Sequence, residues 1–110
     1  LRPNAEIQAG LALENLGRPE EAVKHLNALI AERPDDIDAL SALGNVYRSR
    51  KMFEEAAATY DKAIGKLASP GRANWDLFYF RGIARERIKR WPEAEADLRK
   101  ALELLPEPLG

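Results

Sequence analysis

Residues 15–36 read NLGRPEEAVKHLNALIAERPDD, and residues 48–70 read RSRKMFEEAAATYDKAIGKLASP. Superposed, they set Glu21-Ala22 on Glu55-Ala56, 34 residues apart, and the same shift carries Gly10 onto Gly44. A third copy, IKRWPEAEADLRKALELLPEP at 88–108, holds Ala94 and Gly82 each 38 residues beyond Ala56 and Gly44. The four extra residues fall in SPGRAN, the only Ser/Pro/Gly cluster between copies. A fixed period of this length marks a repeat architecture, in which each unit buries its apolar face only by stacking on the next.

Each copy contains two stretches with apolar residues at helical spacing. The first helices are expected near residues 4–16, 37–50 and 72–89, and the second near 20–32, 54–68 and 93–105. Gly17-Arg18-Pro19 breaks the first pair, with Pro19 tolerable at the start of a helix, where its missing N–H costs nothing. Pro34-Asp35-Asp36 ends one helix and supplies an N-cap carboxylate to the next. Ser69-Pro70 reads as a cap followed by a first-turn proline, which predicts that the fifth helix begins near residue 70. Small residues at Gly10, Ala22, Gly44, Ala56, Gly82 and Ala94 let the two helices of each pair approach closely.

These features resemble tetratricopeptide repeats, which recur every 34 residues as a helix-turn-helix with small residues at fixed places and a proline near the end. The resemblance covers nearly the whole chain. It rests on Gly10, Ala22 and Pro34 in the first repeat, and on Leu40, Leu43, Gly44, Tyr47, Ala56, Tyr60 and Ala63 in the second. In the third it rests on Phe78, Gly82, Ala94, Leu98, Ala101 and Pro106. It implies an all-α fold of three tandem hairpins stacked as a short right-handed superhelix. One domain spans 1–110, with repeats at 3–36, 37–70 and 75–108 and an insertion at 71–74. Glu6 and Leu29 depart from the family pattern in size or polarity, as do Arg81 and Arg85. The two arginines lie four apart on one helix face and are expected to snorkel or to pair with carboxylates such as Glu93 or Glu95.

Composition narrows the function. The formal net charge is −1, so no global field draws in a polyanion, and nucleic acid is not an expected partner. The one basic run, RERIKR at 85–90, sits at a helix end, where the dipole favours cations. No cysteine is present, which removes thiolate metal sites and thiol nucleophiles. The single His25 has no neighbouring set of ligands, and the acidic pairs Glu20-Glu21, Asp35-Asp36 and Glu54-Glu55 fall at helix starts, where negative charge is favoured. Neither a Gly-rich phosphate loop nor a nucleophile elbow occurs, so no enzymatic activity, cofactor or metal is expected. No run approaches the ~20 apolar residues of a membrane span.

Function is therefore expected in a surface. The resemblance implies that the first helix of each repeat lines a concave groove, into which Ile7, Leu11, Ser41, Asn45, Arg48, Tyr79, Phe80, Ile83 and Arg87 project. Such a groove binds a protein or peptide segment without catalysis. The alternative is self-assembly through uncapped end faces, with a homodimer of this segment as its signature. Relatives that clamp the acidic tails of heat-shock chaperones use Lys, Asn and Arg where this chain has Ile7, Leu11, Ala42, Asp76 and Phe80, so that ligand class is not expected. WDLFYF at 75–80 holds four of the eight aromatic residues. Phe78 is expected in the core and Trp75 and Leu77 around the loop and neighbouring repeat, with Tyr79 and Phe80 turned to the groove. The opening at Leu1 and the closing PEPLG are expected to mark an excerpt of a longer protein, the Ala/Leu/Arg/Glu-rich composition resembles bacterial members of the family, and the compartment, cytoplasm or cell envelope, stays open.

Overall fold

The computed structural model describes residues 3–105, with side chains from residue 5 onward. Six α-helices follow one another: α1 Pro3–Asn15, α2 Pro19–Glu32, α3 Ile37–Ser49, α4 Phe53–Gly65, α5 Trp75–Arg87 and α6 Trp91–Leu104. They form three antiparallel hairpins, α1–α2, α3–α4 and α5–α6, and each hairpin packs on the next. Among the described residues there is no strand.

The close approach within each hairpin has one cause, repeated three times. A Cβ added to Gly10 would stand 2.8 Å from the Leu26 side chain, one at Gly44 would stand 2.6 Å from the Tyr60 ring, and one at Gly82 would stand 3.0 Å from Leu98. Leu26, Tyr60 and Leu98 occupy the same place in their repeats, so the glycine is the socket for one recurrent knob. Tyr60 and Leu26 are fully buried, and burying a side chain of that size contributes roughly 1.5–3 kcal/mol.

The hairpin turns recur as well. Gly17, Lys51 and Lys89 hold aligned positions, and all three have left-handed backbone, with φ of 79°, 63° and 66°. Glycine adopts this conformation freely, while the two lysines carry its steric cost. Asp36 caps α3 as expected, its carboxylate accepting from the Ala39 N–H at 3.1 Å.

The insertion differs from expectation. Residue 70 does not start a helix. Gly71 is extended, and Arg72–Asn74 forms a single 3-10 turn before α5 begins at Trp75. The Asn74 side chain decides this, because its oxygen accepts from the Gly71 N–H at 2.9 Å and fastens the chain into a turn. From Trp75 onward the register returns to that of the second repeat.

Candidate functional site

Two contacts bring the first helices of the hairpins side by side. The Ser49 hydroxyl of α3 lies 3.3 Å from the Glu14 carboxylate of α1 and 2.9 Å from the Val46 carbonyl, and the Arg48 guanidinium lies 3.9 Å from the Phe80 ring centre on α5. Arg48 is anchored from below by the Tyr60 phenol, which accepts from its Nε at 3.3 Å and donates to the Asn45 amide oxygen. Burial raises the Tyr60 phenol above its ordinary pKa; the Arg48 hydrogen bond and charge oppose this, and the negative charge of Asp76 adds to it. Asn45, Tyr60, Arg48 and Phe80 thus form one connected cluster spanning the second and third hairpins. Cation–π contact of this kind is worth about 0.5–2 kcal/mol, the larger part when desolvated.

The expected groove residues fall into distinct environments. Ser41, Asn45, Arg48 and Ile83 are half-buried, and Arg87 is exposed with its guanidinium 5.4 Å from the Phe53 ring. Leu11 is half-buried against the first core cluster. Ile7 departs from expectation: at 6% exposure it is packed in that cluster with Leu26 and Leu29, where its apolar side chain is withdrawn from water, while the backbone oxygen of Glu6 beside it accepts from His25 at 2.9 Å. Phe80 is half-buried in the joint between the second and third hairpins, and Phe78 and Leu77 are core. Tyr79 is 39% exposed, and its ring walls an apolar cavity with Trp75, Leu98, Ala101, Leu102 and Leu105 at the far end of the third hairpin. The aromatic cluster is therefore divided among core, joint and end face.

Arg81 and Arg85 are paired, though with partners other than those expected. Arg81 donates to both oxygens of Asp97 at 2.9 and 2.7 Å and to Asp61 at 2.8 Å, and Arg85 reaches the same two carboxylates at 3.0 and 3.2 Å. Burial works against the Arg81 charge, but the hydrogen bonds and field of Asp97 and then Asp61 outweigh it and raise its pKa. Among the described residues neither arginine bonds Glu93 or Glu95, and Glu95 instead holds Arg99 at 3.2 Å. Arg81 stands where the second repeat has Leu43, and Asp97 where it has Thr59, so the signal in the sequence was a pair of opposite charges replacing uncharged residues at aligned sites. This network joins α4, α5 and α6 and consumes the cationic face on which an anion site depends.

The rest of the basic run is also engaged: Arg90 lies 3.7 Å from Glu54, and Lys89 makes the turn. Among the described residues no group of three or more His, Asp or Glu side chains converges as a metal site, and no helix is long and apolar enough to cross a membrane.

A model of the tetratricopeptide repeat matches residues 7–73. The chain belongs to the tetratricopeptide repeat family. This repeat chain is 30% identical over 92 residues to the human mitochondrial import receptor subunit TOM70, a match spanning 83% of this chain and 15% of that relative's length. Among solved structures, YrrB, described as a TPR protein with an unusual peptide-binding site, superposes with a TM-score of 0.78 at 24% identity, over 90% of this chain and 49% of its own. The second TPR of Spaghetti (RPAP3), solved bound to the HSP90 peptide SRMEEVD, superposes with a TM-score of 0.81 at 23% identity, over 91% of this chain and 89% of its own. These likenesses establish the fold of the tetratricopeptide repeats found here, a stacked α-helical solenoid.

Proposed function

We propose that this domain is a noncatalytic interaction module whose first-helix face binds a segment of another protein. The observation that carries the reading is the Asn45–Tyr60–Arg48–Phe80 cluster, which holds an amide and a guanidinium in fixed positions with hydrogen-bonding capacity to spare. The Asn45 NH2 group and the terminal nitrogens of Arg48 have no protein acceptor among the described residues, while Tyr60 fixes the other end of each side chain. Donors immobilised in this way lose little entropy on meeting a peptide carbonyl. Ile83 on α5 and Leu11 on α1 supply apolar contact on the first helices that flank α3. Peptide and receptor roles recorded for fold neighbours and for the human relative support protein binding in general. The chaperone-tail ligand is not carried over, since Ile7 and Ala42 are buried apolar residues where that clamp needs polar ones.

Selection of binders from a peptide library, followed by NMR mapping of the best binder on the domain, tests the reading. Perturbed amides are expected to gather at Ser41, Asn45, Arg48, Ile83 and Arg87. Shifts confined to α6 count against the groove.

A second reading, assembly through the ends of the stack, is favoured by one observation: Leu16 at one end and Leu102 at the other are 72% and 69% exposed. Concentration-dependent light scattering separates self-association from a monomer.

A further inference from the structure

Tyr60 and Asp61 are consecutive residues of α4, and Phe80 and Arg81 are consecutive residues of α5. The Tyr60 hydroxyl accepts from Arg48 Nε of α3 at 3.3 Å, the Arg48 guanidinium lies 3.9 Å from the Phe80 ring centre, and Asp61 accepts from Arg81 at 2.8 Å. These contacts close a ring through three helices. It runs from α4 to α3 at Tyr60, from α3 to α5 at Phe80, and from α5 back to α4 at Asp61.

The joint between the first two hairpins is built differently. Its residues aligned with Tyr60, Asp61, Phe80 and Arg81 are Leu26, Asn27, Ala42 and Leu43. Leu26, Ala42 and Leu43 are buried in one apolar cluster, and Asn27 is exposed. Apolar contact has no preferred direction, so it seals a joint without fixing how one helix is turned on the next. Charged hydrogen bonds do fix it. Asp97 holds Arg81 and Arg85 from α6, inside the third hairpin, and so orients their guanidiniums without tying α5 to the second hairpin. Among the described residues, Asp61 is the carboxylate that receives both from across the joint, Arg85 at 3.2 Å. The network is not the most stable way to fill this space. Arg85 Nε is buried and finds no acceptor among the described residues, a cost that an apolar joint avoids.

We infer that Asp61 is a positioning residue for the peptide-binding face: it sets the turn of α5 on α4 that keeps the Phe80 ring beneath the Arg48 guanidinium. The consequence for binding rests on the groove reading, whereas the Arg48–Phe80 geometry is measurable without a ligand. Asp61 bonds Arg81 and Arg85, neither of which is a groove residue. Without its charge α5 is free to turn, and Arg48, still held by Tyr60, loses the ring that covers one face of its guanidinium. Arg48 then has rotamers that a bound peptide must remove.

The ring current of Phe80 displaces the Arg48 side-chain protons upfield, so NMR of the ligand-free domain reads the contact. Phe80→Leu gives the undisplaced positions. Asp61→Asn keeps the shape of a side chain that is 49% exposed and leaves both arginines paired with Asp97, so the domain is expected to stay folded. In this variant the Arg48 δ protons are expected to move at least about half as far as in Phe80→Leu, while Asp61→Glu retains most of the displacement. Glu54→Gln removes the exposed Arg90–Glu54 pair of the same joint and leaves the protons in place. The tightest peptide from the library selection is expected to bind Asp61→Asn about fivefold more weakly than the unaltered domain, the fold-change of one partly exposed ion pair.

Unmoved Arg48 protons in folded Asp61→Asn overturn the inference. So does an equal movement in Glu54→Gln, which marks general loosening of the joint, or undiminished peptide affinity in Asp61→Asn. If no peptide binds the unaltered domain, the groove reading fails by itself, and the proton shifts still decide whether Asp61 holds Phe80 in place.

Discussion

Arg81 and Asp97 meet across the third hairpin through two hydrogen bonds of 2.7 and 2.9 Å, with the carboxylate almost wholly withdrawn from water. Arg85 shares that carboxylate at 3.0 Å. The geometry is that of a bidentate ion pair, which is specific in direction as well as strong. Removing the carboxylate leaves two guanidiniums in the joint with only the more exposed Asp61 to share. Asp97→Ala is therefore expected to cost about 3 kcal/mol, measured as a fall in the urea midpoint. A loss under about 1 kcal/mol, the range of exposed pairs, is the outcome that contradicts this.

Lys51 and Lys89 hold the left-handed position that Gly17 holds in the first hairpin. Lys51→Gly and Lys89→Gly should each raise stability by up to about 1 kcal/mol, since relief of the left-handed strain exceeds the added freedom of the unfolded chain. Gly17→Ala should do the reverse. Melting curves of the three single variants decide it.

Gly44 faces the Tyr60 ring, where an added Cβ would come within 2.6 Å. The ring is fixed by Asn45 and Arg48 and cannot withdraw. Gly44→Ala is expected to cost about 1–3 kcal/mol by overpacking. Combining it with Tyr60→Leu should recover part of that loss, and strict additivity in the double-mutant cycle would show that the two sites do not press on each other.

Tyr60 also gives the fold a response to alkali. Burial holds its phenol above the ordinary value of about 10. The folded state therefore keeps the proton more tightly than the unfolded chain does. This contribution to stability is complete below pH ~10 and is lost as the pH rises through the folded value. Tyr60→Phe should flatten the alkaline part of the stability profile relative to the unaltered protein, although it also frees Arg48 and Asn45. An unchanged slope above pH ~10 is the contrary result.

The sequence alone determined the repeat and most of the elements. The 34-residue shift from Gly10 to Gly44, the small residues and the Asp36 cap act through local backbone and nearest-neighbour packing, which a sequence displays directly. It did not determine that residues 70–74 form a turn and not the start of α5, because that depends on where the Asn74 side chain bonds. Nor did it place Ile7 in the core, or match Arg81 and Arg85 to Asp61 and Asp97, which lie 12 to 24 positions away in the chain. Tyr79 and Phe80 are adjacent in sequence, yet one walls the end of the stack and the other fills a joint. Only the stacking of hairpins assigns such neighbours to different surfaces, because successive side chains on a helix point about 100° apart and the partner helices decide which direction is covered.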